Sequence, residues 1–128
     1  MRVISMLGLF TDSLKNRDFI SIYKRGKSSA DKYLVVYLMG NGTETCRLGV
    51  SVSRKVGGAV TRNRVKRLIR ESVRLLCKEE GIRASGIDVA VIARKPAADA
   101  GYREISVSVA KLLGYLLART TAADNSNG

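Results

Sequence analysis

Histidine is absent from the chain. That removes the commonest general base and the commonest metal ligand, and with them most protein-based routes to RNA cleavage. If this protein serves an enzyme, something else performs the chemistry. Cysteine is scarce: Cys46 and Cys77 stand far apart with no CxxC pair, a pattern that supports neither a zinc site nor a disulfide scaffold and reads as reduced thiols in a cytoplasm. Acidic residues number only 11, and carboxylates such as Asp18, Glu71 and Asp88 show no metal-binding spacing. No stretch approaches the roughly 20 apolar residues of a membrane-spanning helix. The opening MRVISMLGLF is mildly apolar, but Thr11, Asp12 and Ser13 follow it without a small-residue cleavage site, so it does not read as a secretory signal.

What is abundant is positive charge. The 128 residues carry 23 Lys and Arg, for a net charge of +12 at neutral pH. A folded chain of this length holds one modest core, and such an excess leaves its surface suited to a polyanion.

Hydrophobic spacing divides the chain into short elements. From Asn16 to Lys24, Phe19, Ile20, Ile22 and Tyr23 recur among charges at near-helical spacing, with Gly26 as a stop. Leu34 to Met39 is a β-branched and aromatic run ending in Gly40, Asn41 and Gly42, which predicts a strand entering a hairpin. Arg47 to Ser53 alternates, with Leu48, Val50 and Val52 on one face and Arg47, Gly49, Ser51 and Ser53 on the other. Gly49 is either plainly solvent-exposed or a place where another backbone approaches.

After Gly57 and Gly58, residues 60–78 place Val65, Leu68, Ile69, Val73, Leu75 and Leu76 on one arc of a helix. Lys66, Arg67, Arg70, Arg74 and Lys78 fall on the opposite arc. Ile87 to Ala93 is nearly continuous in its apolarity and predicts a central strand. Tyr102 to Ala118 carries a last helix through Ile105, Val109, Leu112, Leu113 and Leu116. The expected organisation is one domain over residues 1–119, with 1–12 flexible and 120–128 a disordered tail. Helix, three strands, helix, strand, helix is the order of an α+β sandwich with a mixed sheet.

The segment SRKVGGAVTRNRVKRLIRE, Ser53 to Glu71, gathers seven basic side chains around a glycine-rich turn and a helix start. Cations at a helix N-terminus oppose the dipole, at about 0.3–1 kcal/mol for each poorly placed charge. A bound phosphate reverses that account, because the free N–H groups and the arginines attract the same anion. A solvated charged face is the blander explanation; the glycines ahead of the helix and the shortage of acids before Glu71 favour phosphate. Asn63 is equally able to bond a base edge or ribose hydroxyl and to cap the helix start. Phe19 and Tyr23, four residues apart, share a helical face from which a ring can stack on an unpaired base. Phe19 also suits a core position, and Tyr37 sits on a strand able to share their surface.

The stretch RLGVSVSRKVGGAVTRNRVKRLIRE, with its Arg-Asn-Arg core, closely resembles the signature of the bacterial ribonuclease P protein family. NRDFISIYKRGKS is similar to the family's first helix and following loop, LVVY to its first strand, and IARKPA to the end of its last strand; together the likeness covers about residues 14–115. The resemblance implies a two-layer α-β-β-β-α-β-α sandwich with a mixed four-stranded sheet and a left-handed β-α-β crossover, against the usual hand. It implies that Arg62, Asn63, Arg64, Lys66, Arg67 and Arg70 contact a catalytic ribonuclease P RNA. Phe19, Tyr23, Tyr37, Ser51, Ser53 and Lys55 would line or border a cleft for the 5′ leader of precursor tRNA.

By the same likeness no protein residue is catalytic: RNA and Mg²⁺, bound mainly by that RNA, remove the leader, and the protein requires no cofactor of its own. Whether the protein itself binds a metal is left open by the sequence. The implied partners are the two RNAs in the cytoplasm, with no membrane and no small-molecule substrate. The chain departs from the family pattern in its weakly basic N-terminus and in Leu34, where an aromatic is common. The competing classes are a ribosomal-type RNA-binding protein without leader preference, a stand-alone nuclease, and a DNA-binding module, the last lacking a helix-turn-helix partner for its basic helix.

Overall fold

The computed structural model describes residues 10–43, 46–79 and 86–127. Five strands and three α-helices follow in the order β1 (Phe10–Ser13), α1 (Asn16–Arg25), β2 (Lys27–Ala30), β3 (Leu34–Gly40), β4 (Cys46–Ser51), α2 (Ala59–Glu79), β5 (Ile87–Ala93) and α3 (Tyr102–Asn127). A 3-10 turn, Lys95–Asp99, joins β5 to α3. The strands make one mixed sheet in the spatial order β1-β4-β5-β3-β2.

Strands β2 to β5 are the four-stranded sheet that the α-β-β-β-α-β-α order requires. β5 is central, antiparallel to β3 and parallel to β4, and the β4–α2–β5 segment is the expected crossover. Its centrality follows from its sequence: IDVAVIA is nearly continuous in its apolarity, broken only by Asp88, and six of its seven residues are buried.

Several expectations change. Gly40, Asn41 and Gly42 do end a strand, but β3 and β4 form no hairpin, because β5 lies between them and bonds to both. The local turn signal was real; a doubly buried strand from elsewhere took the pairing. The LVVY strand is preceded by two others. Lys27–Ala30, read as loop, pairs antiparallel with β3 from Lys27↔Leu38 to Ala30↔Val35. As a mostly exposed edge strand, KSSA has little apolar pattern to announce it.

At the opposite edge β1 adds a fifth strand, parallel to β4 with a register shift between Phe10 and Asp12. It occupies part of the stretch expected to be flexible, and it supplies partners to backbone groups that an edge would leave open. Helix α3 runs to Asn127, through the segment expected to be a disordered tail. Once nucleated, a helix extends at one hydrogen bond per residue fixed.

Alternation along β3 separates two cores. Leu34, Val36 and Leu38 face α2 and α3, joining Val65, Ile69, Val73, Ile105, Val109, Leu113 and Leu116. Each such side chain contributes roughly 1.5–3 kcal/mol on burial. Ser72, the polar residue within the apolar arc of α2, is buried and donates to the Leu68 carbonyl at 2.7 Å. Asp31, in the turn before β3, ties the α3 layer to the sheet. It accepts from the N–H groups of Tyr33 and Leu34, from the Ser108 hydroxyl, and lies 3.4 Å from Lys111. Burial alone would raise its carboxyl, but these bonds outweigh burial and hold it below the usual range.

The other face carries a smaller cluster of Leu14, Ile22 and Ala90, with Phe19, Tyr37, Met39 and Ile92 packed against it. Among the described residues, α1 is the helix on this face. Among the described residues no helix is long and apolar enough to cross a membrane.

Candidate nucleic-acid interface

The path of α1 across the sheet can be followed residue by residue. Asp18 meets Arg47 of β4, and Phe19 reaches over Gly49 of β4. Ile22 clusters with Ala90 of β5, and Tyr23 lies against Tyr37 of β3. Gly26 ends the helix above the Leu38 carbonyl, 3.1 Å from where its Cβ would stand. The helix thus spans β4, β5 and β3 near one end of the strands.

Rows of registered residues on this face are Met39–Asp88–Arg47, Tyr37–Ala90–Gly49 and Val35–Ile92–Ser51. Helix α1 contacts the first two. In the third, Val35, Ile92 and Ser51 are all partly accessible, and Ile92 packs against the cluster that holds Ile22.

Gly49 explains itself here. A Cβ at that position would stand 2.5 Å from Phe19 Cζ and 2.8 Å from Leu14 Cβ. What approaches is a ring and a leucine side chain rather than another backbone, and the missing side chain lets Phe19 seat against the strand. Phe19, half-buried, is therefore the anchor of the aromatic group.

The rings of Phe19 and Tyr23 are 6.0 Å apart and those of Tyr23 and Tyr37 are 5.0 Å apart, both pairs tilted. Tyr23 is 45% exposed. Partial burial, then the neighbouring Tyr37, raises its phenol above the ordinary value. Near neutral pH the ring is an uncharged stacking surface rather than an anion. Ser51 lies on the same face, while Ser53 and Lys55 are exposed in the turn that continues from β4.

The second surface is α2. The helix starts at Ala59, where the Gly58 carbonyl accepts the Arg62 N–H at 2.9 Å. Its first turn holds no acidic residue, so the N–H groups that precede the internal ladder meet no carboxylate of that turn. Asn63 is the fifth helical residue and exposed; the capping alternative is excluded, and its amide points to solvent.

Arg67 and Arg70 are exposed and Lys66 is half-buried. The exposed stripe continues through Arg74 and Lys78, two residues that the family signature did not single out, although their place on the basic arc was legible. Among the described residues none of these five cations lies within ion-pair distance of a carboxylate. Arg62 is partly buried, and its Nε is shielded from solvent without a hydrogen-bond partner.

Arg64 departs from its neighbours. Its guanidinium donates to the carbonyls of Ala98 and Ala100, the latter at 3.0 Å, so it fastens α2 to the 3-10 turn ahead of α3. Cys46 is buried at the far end of β4, where burial pushes its thiol up. The Cys77 side chain lies outside the described residues.

Comparison with known proteins agrees with the fold. The Ribonuclease P family model matches residues 12–117. The ribonuclease P protein component of Clostridioides difficile is 46% identical over 99 residues, 77% of this chain and 85% of the relative. That of Staphylococcus haemolyticus is 50% identical over 99 residues, 77% and 83% respectively. Among solved structures, the Staphylococcus aureus RNase P protein superposes with a TM-score of 0.70 at 41% identity, covering 80% of this chain and 93% of that one. The Thermotoga maritima protein gives 0.66 at 34% identity, covering 82% and 94%.

Proposed function

The chain belongs to the ribonuclease P protein family, and we propose that it binds the catalytic RNA of ribonuclease P through α2 while holding the 5′ leader of precursor tRNA in an aromatic cleft between α1 and the open part of the sheet. The observation that carries this reading is the pairing of two different surfaces on one small fold. One is an exposed cationic helix suited to phosphates; the other is a set of uncharged rings beside polar strand positions, suited to an unpaired strand.

Each surface has its own chemistry. On α2, Asn63, Lys66, Arg67 and Arg70 meet the ribozyme backbone, with Arg62 supplying a further guanidinium at the helix start. In the cleft, Phe19 anchors Tyr23 and Tyr37, which present their faces to leader bases. Ser51 and Ser53 offer hydroxyls, and Lys55 neutralises a phosphate at the border.

Cleavage belongs to the RNA, where Mg²⁺ stabilises the charge of phosphoryl transfer. Among the described residues no group of three or more Cys, Asp or Glu side chains is placed to hold a metal ion. The protein supplies counter-charge where leader and ribozyme approach, which lowers the Mg²⁺ needed for activity.

The test is cleavage of a precursor tRNA at low Mg²⁺ by a bacterial ribonuclease P RNA, with protein, without it, and with protein alone. Cleavage at the mature 5′ end is expected only when both components are present. Tight RNA binding without stimulation would favour a ribosomal-type binding protein, and cleavage by the RNA-free protein would make it a nuclease.

Within the cleft, Tyr23→Ala should spare ribozyme binding and weaken binding of leader-bearing substrate by about 1–3 kcal/mol, the worth of one stacked base. Equal affinity of wild type and variant for a leader-bearing precursor tRNA would remove Tyr23 from the cleft.

A further inference from the structure

Arg47 touches neither of the two proposed RNA surfaces, yet it joins three elements. From β4 it donates Nε to Asp88 Oδ1 at 2.9 Å and Nη2 to Asp88 Oδ2 at 2.7 Å, a two-pronged pair with a carboxylate of β5 that is 1% exposed. The Asn41 amide, from the end of β3, donates to the same Asp88 Oδ1 at 2.8 Å. The remaining nitrogen, Nη1, lies 3.4 Å from Asp18 Oδ2. That same oxygen accepts the Lys15 backbone N–H at 2.9 Å and closes the first turn of α1. One guanidinium therefore uses three nitrogens to couple the first turn of α1 to the central strand.

The next residue after Asp18 is Phe19, whose ring fills the space above Gly49, and one turn later comes Tyr23. We infer that Arg47, through Asp88 and Asp18, is a positioning residue that sets where α1 lies on the sheet and hence the spacing of the Tyr23–Tyr37 stacking surface. The inference rests on the reading of that cleft as the leader site. Physically it follows from the difference between the contacts holding α1. Apolar packing of Ile22 and Phe19 is non-directional and tolerates a sliding helix, whereas a planar fork fixed by a buried carboxylate has one geometry.

Asp18 makes the role separable from charge. It is an acidic group, 17% exposed, on a face proposed to bind a polyanion. Asp18→Asn removes a negative charge, which by charge alone tightens RNA binding, and the amide oxygen can still accept the Lys15 N–H. If Asp18 acts by position, the same change weakens recognition of the leader, so the two accounts predict opposite signs. Arg47→Lys complements it: the charge is kept and the fork is lost.

The experiment uses the full chain, assembled with a bacterial ribonuclease P RNA, and compares affinity for precursor tRNA with and without its 5′ leader. For both Asp18→Asn and Arg47→Lys, the affinity gained from the leader is expected to fall on the order of three- to tenfold, a fraction of the stacking contribution. Affinity for the catalytic RNA should stay within about twofold, since α2 is a separate surface. In the free protein, the ring-proton resonances of Tyr23 and Tyr37, whose rings lie 5.0 Å apart, should shift in both variants. Unchanged ring resonances with undiminished leader dependence overturn the inference, as does a gain in leader affinity for Asp18→Asn. A wild-type protein with no leader dependence at all overturns the cleft reading instead; moved ring resonances would then still support the positioning of α1 by Arg47.

Discussion

Arg47→Met should lower the stability of the isolated protein by about 3–5 kcal/mol, the usual consequence of stranding one member of a buried ion pair. Asp88→Ala should cost less, about 1–3 kcal/mol. The asymmetry comes from burial. Asp88 is almost wholly enclosed and loses two of its three hydrogen bonds when the guanidinium goes, leaving the Asn41 amide to satisfy a buried carboxylate. Arg47 is 29% exposed; deprived of Asp88 it still has water and Asp18. Chemical denaturation of the two variants measures the difference. Equal losses would mean that Asp88 reaches solvent more readily than its position on the central strand allows.

This network also marks the limit of what the sequence discloses. Arg47 and Asp88 are 41 residues apart; Arg47 reads locally as a polar member of an alternating strand, and Asp88 as the single charge in a nearly continuous apolar run. Their meeting depends on β5 inserting between β3 and β4, a choice of partner that no local pattern contains. The elements themselves were far more legible. IDVAVIA announces a doubly covered strand by an apolarity interrupted only at Asp88, and α2 announces its buried face by spacing alone. The short edge strands escaped because β2 is mostly exposed and β1 is only four residues long.

At the site, Phe19, Tyr23 and the basic arc could be chosen from helical periodicity, and Tyr37 from its β-strand. Gly49 could be singled out as odd, yet the ring that occupies its missing Cβ is 30 residues away. Arg64 illustrates the converse. Its place in the Arg-Asn-Arg signature gives it the same standing as Arg62, and only the tertiary fold turns its guanidinium inward.

That difference among the arginines leads to the second large effect. Replacing Arg67 and Arg70 together by Ala should lower the dependence of log affinity for the catalytic RNA on log salt by about 1.4–1.8, two phosphate contacts at ~0.7–0.9 each. The fold should be unharmed, since both side chains are exposed on the outer face of α2 and Ala is the best helix former. Arg64→Met should do the opposite. It removes charge-assisted bonds to the Ala98 and Ala100 carbonyls, so stability falls, by about 1.5–3 kcal/mol for a bond of that kind. The salt slope stays close to that of the wild type, because no phosphate contact is lost. Binding measured across a salt series, together with denaturation of each free variant, separates the two behaviours. An Arg64→Met protein of unchanged stability with a reduced slope would mean that the guanidinium leaves the 3-10 turn for the RNA. The retained slope expected here instead makes Arg64 the residue that fixes α2 against the start of α3 and so holds the cationic stripe as one rigid surface.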